Sequence, residues 1–316
     1  MSIKSLFLKY FFKKEYYKYK TDLEIKRKIK ILKSGIEEKI NRINYIINSS
    51  KEISFLHSGH LGDIICSLPV IKEISKTHKC NLYITANKPL PLDSRFYKHS
   101  KDLVFLDDRN VDMIIPLLEK QPYLNNVKKF DNELIDIDLD LFRKLPVNFI
   151  EDSFRWYSLL TGVHADLTKP SLFVDANNNY KNKIVIIRST RKKNLFINYN
   201  FLKDFNDLLF LGLKDEYFDL KKEVPNLEFH DCKNFLEMAE IIQSCKFFLG
   251  NPSLGYVIAE ALKVPRLLEN FPEFHVINPM GSNAYDFYFQ SHFEKLFKKL
   301  YNLKINKYYK NEKNIF

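Results

Sequence analysis

Residues 53–69 read Ile53-Ser54-Phe55-Leu56-His57-Ser58-Gly59-His60-Leu61-Gly62-Asp63-Ile64-Ile65-Cys66-Ser67-Leu68-Pro69. This stretch predicts a short buried strand, a glycine turn and the start of a helix. Two of the chain's 8 glycines lie in the turn, and glycine lets a ligand or another backbone approach closely. Asp63 follows at the mouth of the strand-to-helix crevice, where open α/β sheets bind ligands. The alternative is a structural turn in which Asp63 only caps the helix.

The length of 316 residues predicts about two domains. No apolar run is long enough for a transmembrane helix, and lysines interrupt the apolar start, which argues against a cleaved signal peptide. Scattered cysteines without metal-ligand spacing indicate a reducing compartment. We therefore expect a cytoplasmic protein. The cysteines are Cys66, Cys80, Cys232 and Cys245.

The net charge of +11 is concentrated at the two ends of the chain. Residues 1–50 contain 13 Lys/Arg and 5 Asp/Glu, and residues 291–316 contain 7 and 2. Residues 51–290 hold 30 basic and 32 acidic residues, so the body is nearly neutral. A nucleic-acid-binding domain would carry a basic face on its folded body. The sequence therefore does not predict nucleic acid as a partner.

The first 20 residues interleave aromatic side chains with lysines. Wound as a helix, this segment is suited to an anionic membrane surface. The protein would then associate with the inner face of the membrane. The alternative is an ordinary helix packed on the domain. Residues 21–48 continue as an amphipathic helix, with apolar residues three or four apart.

From residue 51, strands and helices alternate in two sets around a polar segment, 176–182, which is typical of a linker. The first set has strands at 53–56, 81–85 and within 132–141, and helices at 64–75 and 147–161. Residues 102–106 and 112–115 are expected to be short strands or turns, and 170–175 a connecting strand. The second set has strands at 183–187, 209–213, 229–230, 247–249 and 266–268, with helices at 200–208, 215–222, 234–244 and 253–262. This pattern predicts an α/β protein with two doubly wound domains.

Residues 250–265 form a second candidate site segment, after the strand that ends at 249. Asn251 is placed to cap the next helix, whose N-terminal N–H groups would suit a phosphate. Glu260 lies about two turns later and is placed to reach a sugar hydroxyl. The alternative is a well-capped packing helix. The candidate donor contacts of this segment are Asn251, Ser253, Gly255 and Glu260.

A third segment, 188–193, follows the predicted strand 183–187. Its cations and hydroxyl groups would neutralise a diphosphate at the end of that strand. The alternative is a solvated charge run. The candidate donor contacts of this segment are Arg188, Ser189, Thr190, Arg191 and Lys192.

These three segments together resemble the heptosyltransferase-type glycosyltransferases over about residues 51–280. The resemblance rests on Gly59-x-x-Gly62-Asp63 followed by Leu68-Pro69, on the cationic segment 188–193, and on the helix ending Glu-Ala-Leu-Lys-Val-Pro at 265. Residues 235–251 are also similar. One difference lies at Pro252-Ser253-Leu254 and Val257, where the family usually carries an acidic residue, Ser/Thr-Gly and a later histidine. Because those positions contact the donor in the family, the donor sugar is not predicted.

The resemblance implies a GT-B fold, in which two Rossmann-like domains face each other across a cleft. It implies an N-terminal acceptor domain over 51–175 and a C-terminal nucleotide-sugar domain over 183–284. A basic helical extension over 1–50 and a basic helical tail over 285–316 flank them. The family's members are inverting, metal-independent enzymes of surface polysaccharide assembly. The partners implied are a nucleotide-sugar donor and a glycan or glycolipid acceptor, with no cofactor.

In this interpretation Asp63 is the general base that takes the proton of the acceptor hydroxyl. A partly dry cleft is expected to raise the pKa of its carboxyl. The residues expected on the acceptor and pyrophosphate side are Ser58, Gly59, His60 and Gly62.

Other interpretations of the same residues stay open at this point. His57 and His60 are three apart and could hold a metal, and Asp136-x-Asp138-x-Asp140 resembles the metal motif of a different transferase fold. A nucleotide-sugar epimerase or hydrolase would have a similar fold. A non-catalytic nucleotide or sugar-binding protein would account for the changed residues at 252–257.

Overall fold

The structure is a computed structural model that describes residues 3–90, 103–147, 152–273 and 275–303. The helices are α1 (Ile3–Phe11), α2 (Lys13–Ile31), α3 (Glu37–Ser49), α4 (Leu61–Ile74), α5 (Asp108–Glu119), α6 (Trp156–Thr161), α7 (Lys214–Lys221), α8 (Phe235–Ser244), α9 (Leu254–Leu262) and α10 (Gln290–Tyr301). The strands are β1 (Glu52–His57), β2 (Lys79–Ile84), β3 (Asn126–Lys129), β4 (Ile137–Asp138), β5 (Ile184–Ile187), β6 (Leu208–Leu211), β7 (Glu228–His230), β8 (Phe247–Gly250), β9 (Arg266–Glu269) and β10 (Ala284–Phe287). Short 3-10 turns lie at Leu139–Lys144, Ser153–Arg155, Asn178–Tyr180, Thr190–Lys192 and Asn200–Asp204, and a wide turn at Leu32–Ile36 joins α2 to α3.

Two parallel sheets carry the fold. The first has the order β3-β2-β1-β4, and the second has the order β10-β9-β8-β5-β6-β7. If the strands β5 to β10 are numbered 1 to 6 along the chain, their order across the second sheet is 3-2-1-4-5-6. This is the order of doubly wound dinucleotide-binding sheets. The first sheet repeats the first four strands of that order. The predicted α/β class, with two doubly wound sheets and an N-terminal helical extension, is confirmed.

The central strands are buried on both faces. Every residue of β5 is buried, and its sequence Ile-Val-Ile-Ile is the continuous apolar run expected of a parallel strand between two helical layers. Helix α4 lies beside α9 of the other half. The N–H groups of Ser171 and Leu172 both donate to the carbonyl oxygen of Ala261, so the connecting segment also joins the halves.

The structure differs from the predicted elements at several places in the first half, including 170–175, which was expected to be a connecting strand and is not one. Residues 112–115, expected as a strand or turn, belong to α5, which buries Val111, Ile114 and Leu118 on one face. A short apolar run does not distinguish a strand from a buried helix by its period. Strand β3 was not predicted, because only Val127 of its four residues is buried. The predicted helix over 147–161 is reduced to a 3-10 turn and α6, and its residues 148–151 lie outside the described ranges.

In the second half, the predicted helix over 200–208 is only the 3-10 turn Asn200–Asp204. Residues 284–301 pack on the second sheet through β10 and α10. Phe293, Phe297 and Leu300 of α10 are buried there, and the ring of Phe287 stacks on that of Phe293 at 4.2 Å. Residues 304–316 of the predicted tail lie outside the described residues, and the domain limits stay a prediction.

Within the described residues, no helix is both long and apolar enough to cross a bilayer.

Candidate active site where the two sheets meet

The three segments that the sequence singled out follow strands at the point of each sheet where the strand order changes direction. In the first sheet the reversal lies between β1 and β4, and in the second between β5 and β8. Ligands of doubly wound sheets bind in the crevice at such a reversal, beyond the carboxyl ends of the strands. Residues 58–63 follow β1, residues 188–193 follow β5 and residues 251–253 follow β8. All three predicted segments therefore lie at these two crevices.

Asp63 lies in the first turn of α4 and forms an ion pair with Arg143. The Nη2 group of Arg143 donates to Oδ2 of Asp63, and both side chains are about four-fifths buried. Burial acts to raise the pKa of Asp63, but Arg143, His60 and His57 together outweigh it. The pKa of this carboxyl therefore lies below its usual range. The expectation of a raised pKa was wrong, because the fold brings the guanidinium of Arg143, 80 residues away in sequence, onto the Asp63 carboxylate.

Aromatic rings and a second carboxylate hold the Arg143 guanidinium in place. It lies 5.0 Å from the ring centre of Phe105 and 4.6 Å from that of Phe142. Its Nε is 3.6 Å from Oδ1 of Asp140. A Cβ at Gly59 would come within 2.6 Å of Nη2 of Arg143. Glycine at this position therefore makes room for the guanidinium.

Asp140 is the anchor of the glycine turn. Its Oδ2 accepts the Ser58 N–H at 2.9 Å and the Ser58 hydroxyl. Lys88 donates to the same Oδ2 at 3.2 Å and to Oγ of Ser58 at 2.6 Å. Burial raises the pKa of Asp140, but His57, Ser58 and Lys88 overcome this and lower it to about 2. Ser58 is thus bound to Asp140, and its assignment to the acceptor is not supported by its contacts.

The three aspartates of the Asp-x-Asp-x-Asp run do not converge on one point. Asp136 accepts the Ser54 N–H at 2.8 Å, whereas Asp138 accepts the Asp140 N–H at 3.0 Å. Among the described residues, no group of three or more His, Cys, Asp and Glu side chains is arranged to hold a metal ion.

His57 is a buried member of a hydrogen-bond chain that reaches Asp63. Its Nδ1 accepts the Gly59 N–H at 3.0 Å, which assigns the proton to Nε2. Nε2 then donates to the Tyr157 hydroxyl at 2.8 Å, and that hydroxyl donates to the Asp63 carbonyl oxygen at 2.9 Å. Burial lowers the pKa of His57, which favours this neutral form. Both ring nitrogens are occupied, so His57 and His60 do not form a metal pair.

Helix α9 of the second half packs beside the turn of α4 that carries Asp63. Burial lowers the pKa of Lys192, the adjacent Arg191 lowers it further, and Asp63 acts in the opposite direction. Arg191 also acts on His60, whose pKa is lowered first by burial. A Cβ at Gly62 would lie 3.6 Å from Val257 of α9. The cationic loop and the glycine turn therefore belong to one electrostatic environment.

Arg188, in contrast, is part of the core of the second half. Its Nε donates to Oε2 of Glu269 at 2.8 Å, its Nη2 donates to Oε1 at 3.2 Å, and its guanidinium lies 4.3 Å from the ring centre of Tyr199. Arg188 is 4% exposed and Glu269 0%. A buried carboxylate of the same half already binds this guanidinium, and the contact of Arg188 with a donor diphosphate stays a prediction.

Glu260 also has a structural role. Its Oε2 accepts from Nε of Arg266 at 2.5 Å, and its Oε1 accepts from Lys263 and from the Met280 N–H. The side chain is 1% exposed. An isolated buried carboxylate is costly, and cations of its own half neutralise this one. The contact of Glu260 with a sugar hydroxyl stays a prediction.

The remaining predicted residues shape the loop and the start of α9. Asn251 does not cap the helix. Its Oδ1 accepts the Ser189 N–H at 2.8 Å and its Nδ2 donates to the Ser189 carbonyl at 2.7 Å, which joins the loop to β8. The cap is Ser253, which accepts the Tyr256 N–H at 3.5 Å. The Thr190 N–H donates to Glu216 at 3.0 Å.

Gly255 allows α9 to pack closely on β5, since a Cβ there would lie 2.2 Å from Cδ1 of Ile187. Helix α9 therefore begins directly beside the end of β5. This places the Ser253 cap and the cationic loop at the same edge of the second sheet.

Sequence reasoning missed three residues of the site: Lys88, Asp140 as an anchor, and Arg143. The sequence did contain a signal for Arg143, because this cation comes shortly after the strand predicted within 132–141. Residues 188–193 were singled out by the same argument. The same signal marks Lys88, which comes three residues after the predicted strand 81–85, but its partners Ser58 and Asp140 are 30 and 52 residues away in sequence.

No family model and no curated protein matches the chain. Several solved structures are similar in fold. A glycosyl transferase family 9 protein from Veillonella parvula has 12% identity and a TM-score of 0.48, over 82% of this chain and 92% of its own. E. coli heptosyltransferase WaaC with ADP-2-deoxy-2-fluoro heptose has 10% identity and a TM-score of 0.45, over 78% of this chain and 99% of its own. E. coli ADP-heptose LPS heptosyltransferase II has 10% identity and a TM-score of 0.48, over 79% of this chain and 98% of its own. These similarities say nothing about the donor or the acceptor of this chain.

Proposed function

We propose that this chain is a GT-B-type inverting glycosyltransferase that moves a sugar from a nucleotide-sugar donor to a hydroxyl of a glycan or glycolipid. The observation that carries the proposal is the packing of α4, which bears Asp63, beside α9, whose first turn adjoins the end of β5 and the cationic loop that follows it. Such a transfer requires a base and a cation. Asp63 supplies a carboxylate at the strand-order reversal of the first sheet, and Lys192 supplies a partly buried ammonium at that of the second. The products would serve surface polysaccharide assembly.

In the proposed reaction, the acceptor oxygen attacks the anomeric carbon as the bond from that carbon to the diphosphate oxygen breaks. The carboxylate of Asp63 takes the acceptor proton. Lys192, Arg191 and the N–H groups at the start of α9 stabilise the charge that develops on the leaving diphosphate. The first turn of α4 lies beside α9, so that the proton acceptor and the start of α9 face the same crevice.

Arg143 imposes a condition on this mechanism. While its guanidinium holds Oδ2 of Asp63, the carboxylate is a weak base, because the pKa of Asp63 is depressed. A donor diphosphate is an anion that competes for the same guanidinium. We propose that bound donor weakens the ion pair and so restores basicity to Asp63 when the acceptor is in place.

The test is a thermal-shift screen against ADP, UDP, GDP and CDP and their common nucleotide sugars. Hits are then incubated with lipid and glycan acceptors, and products are detected by mass spectrometry. Transfer to an acceptor supports the proposal. Epimerised or hydrolysed donor without transfer would favour a nucleotide-sugar epimerase or hydrolase instead.

The second candidate is a non-catalytic nucleotide- or sugar-binding protein. The Arg143–Asp63 pair favours it, because a neutralised carboxylate is typical of a structural ion pair. Ligand binding with no turnover of any bound nucleotide sugar would support this candidate over the transferase.

A further inference from the structure

The first two helices form an arm that contributes almost nothing to the hydrophobic core. Helix α2 has no buried residue, and α1 buries Ser5 alone. Helix α3, in contrast, buries Ile43 and Ile46 in the first half. Between them, Gly35 has a left-handed φ of +87°, and the helix is interrupted. Residues 3–35, here called the arm, are therefore attached to the body through α3.

The arm is a helical hairpin with its turn at Phe12. This residue has φ −139° and ψ 75°, outside the helical range, between α1 and α2. The ammonium of Lys4 lies 5.3 Å from the ring centre of Tyr19, so α1 lies back along α2. Residues 11–14, here called the tip, form the end of this hairpin.

The arm exposes an unusual amount of apolar surface. Of the 21 exposed large hydrophobic side chains in the described ranges, 11 lie within residues 3–32, although these are fewer than one tenth of the chain. Phe11 is 71% exposed, Phe7 54% and Phe12 49%. Soluble monomers rarely leave contiguous patches of this kind uncovered, so the arm is expected to have an occupant.

The charge of the arm identifies that occupant. Residues 3–20 contain six lysines and one acidic residue, Glu15. Lys13 and Lys14 of the tip are exposed directly beside Phe11 and Phe12. Aromatic rings at headgroup depth, with ammonium groups on lipid phosphates, are the arrangement of interfacial membrane helices. A second copy of the arm would bring an equal positive charge against the first, which disfavours self-association.

We propose that the tip, with Phe7, docks the protein on an anionic membrane surface without crossing it. Insertion of Phe11 and Phe12 supplies the apolar contact, and Lys13 and Lys14 supply the preference for anionic lipid. This proposal does not depend on glycosyl transfer, because none of its residues lies in the candidate active site.

The experiment is flotation of the full chain with two kinds of vesicle, pure phosphatidylcholine and a 7:3 mixture with phosphatidylglycerol. The expected result is binding to the anionic vesicles only, lost at high salt. The variant Phe11→Ser/Phe12→Ser/Lys13→Glu/Lys14→Glu is expected to bind at least tenfold less. Its thermal unfolding is expected to be unchanged, since all four side chains are exposed.

A control variant with substitutions of the same kind, one lysine and one aromatic residue, lies outside the arm. Lys39→Glu/Tyr45→Ser changes an exposed lysine and an aromatic residue, 71% exposed like Phe11, on α3 outside the arm. It is expected to bind vesicles as the native chain does. Equal flotation of the tip variant and the native chain, or no flotation of either, would overturn the proposal. So would a lipid-independent oligomer that the tip variant abolishes, because the arm would then be a self-association surface.

Discussion

Arg143 and Asp63 are 80 residues apart in sequence, yet the guanidinium of one donates directly to the carboxylate of the other. Each side chain comes from a different strand end of the first sheet, Asp63 after β1 and Arg143 after β4. The pair therefore spans the strand-order reversal at which ligands of such sheets bind. A candidate base that is held by a cation has to be released before it can act.

Replacing Arg143 with Gln is expected to raise the pKa of Asp63. Burial then acts without the opposing guanidinium, and a neighbouring Arg typically lowers an Asp pKa by about 1–3 units. The catalytic carboxylate must be ionised, so the acid limb of the kcat/KM profile should move to higher pH by a similar amount. Arg109→Gln, an exposed arginine on α5, is the control. An unmoved acid limb in Arg143→Gln would show that Arg143 does not control the base.

Lys192→Ala is expected to weaken nucleoside diphosphate binding by roughly 10- to 100-fold, since a hydrogen bond to a charged group is worth about 1.5–3 kcal/mol. The neighbouring Lys193 pairs with Asp219 of α7 and gives a matched control. Isothermal titration calorimetry with the nucleotide that the screen selects measures both variants. Equal losses in Lys192→Ala and Lys193→Ala would mean that the loop acts only through its total charge.

Arg188→Leu is expected to cost about 3–5 kcal/mol of the free energy of unfolding, because it leaves the buried Glu269 carboxylate without its cation. Arg188→Leu/Glu269→Leu should recover much of that loss. Glu228→Gln, in an exposed pair with Lys183, should cost less than about 1 kcal/mol. Urea unfolding measures all three. If Arg188→Leu is stable but no longer binds nucleotide, Arg188 is a donor contact after all.

Asp140 makes stability depend on acid pH in a defined direction. Its pKa falls from 3.8 to about 2 on folding, so its contribution is present above pH 4 and is lost as the pH falls towards 2. The shift corresponds to about 2 kcal/mol. Asp140→Asn should lose this contribution at pH 7, and its stability curve should meet that of the native chain near pH 2. Asp112→Asn, an exposed carboxylate on α5, should show no such convergence.

The sequence predicted the parts of the fold that depend on local pattern. Strands such as β5 and β8, and helices such as α8 and α9, follow from continuous apolar runs and capping residues. Strand β3 was not predicted, since it has a single buried residue. Helix α10 lies within the basic tail over 285–316 that was predicted to be helical. The positions of the three site segments followed from their place after predicted strands.

What the sequence could not predict was the partner of each charge. Arg188 was predicted as a ligand contact because it begins a cationic segment after a strand, and Glu260 because it lies about two turns into a helix that follows a strand. In the structure, Glu269 pairs with Arg188 and Arg266 pairs with Glu260. Arg143 became part of the site only when β4 was placed beside β1. Such pairings depend on which strands are neighbours in the sheet. The residues next to each charged side chain in the sequence do not show this.

The central claim is that Asp63 is the general base of a glycosyl transfer. The most direct test measures acceptor-dependent release of nucleoside diphosphate by the native chain and by Asp63→Asn, with the donor that the screen selects. Loss of a general base typically costs about 10²- to 10⁴-fold in rate, and Asp63→Asn should show this loss with folding and nucleotide affinity retained. Turnover by Asp63→Asn close to that of the native chain would contradict the account.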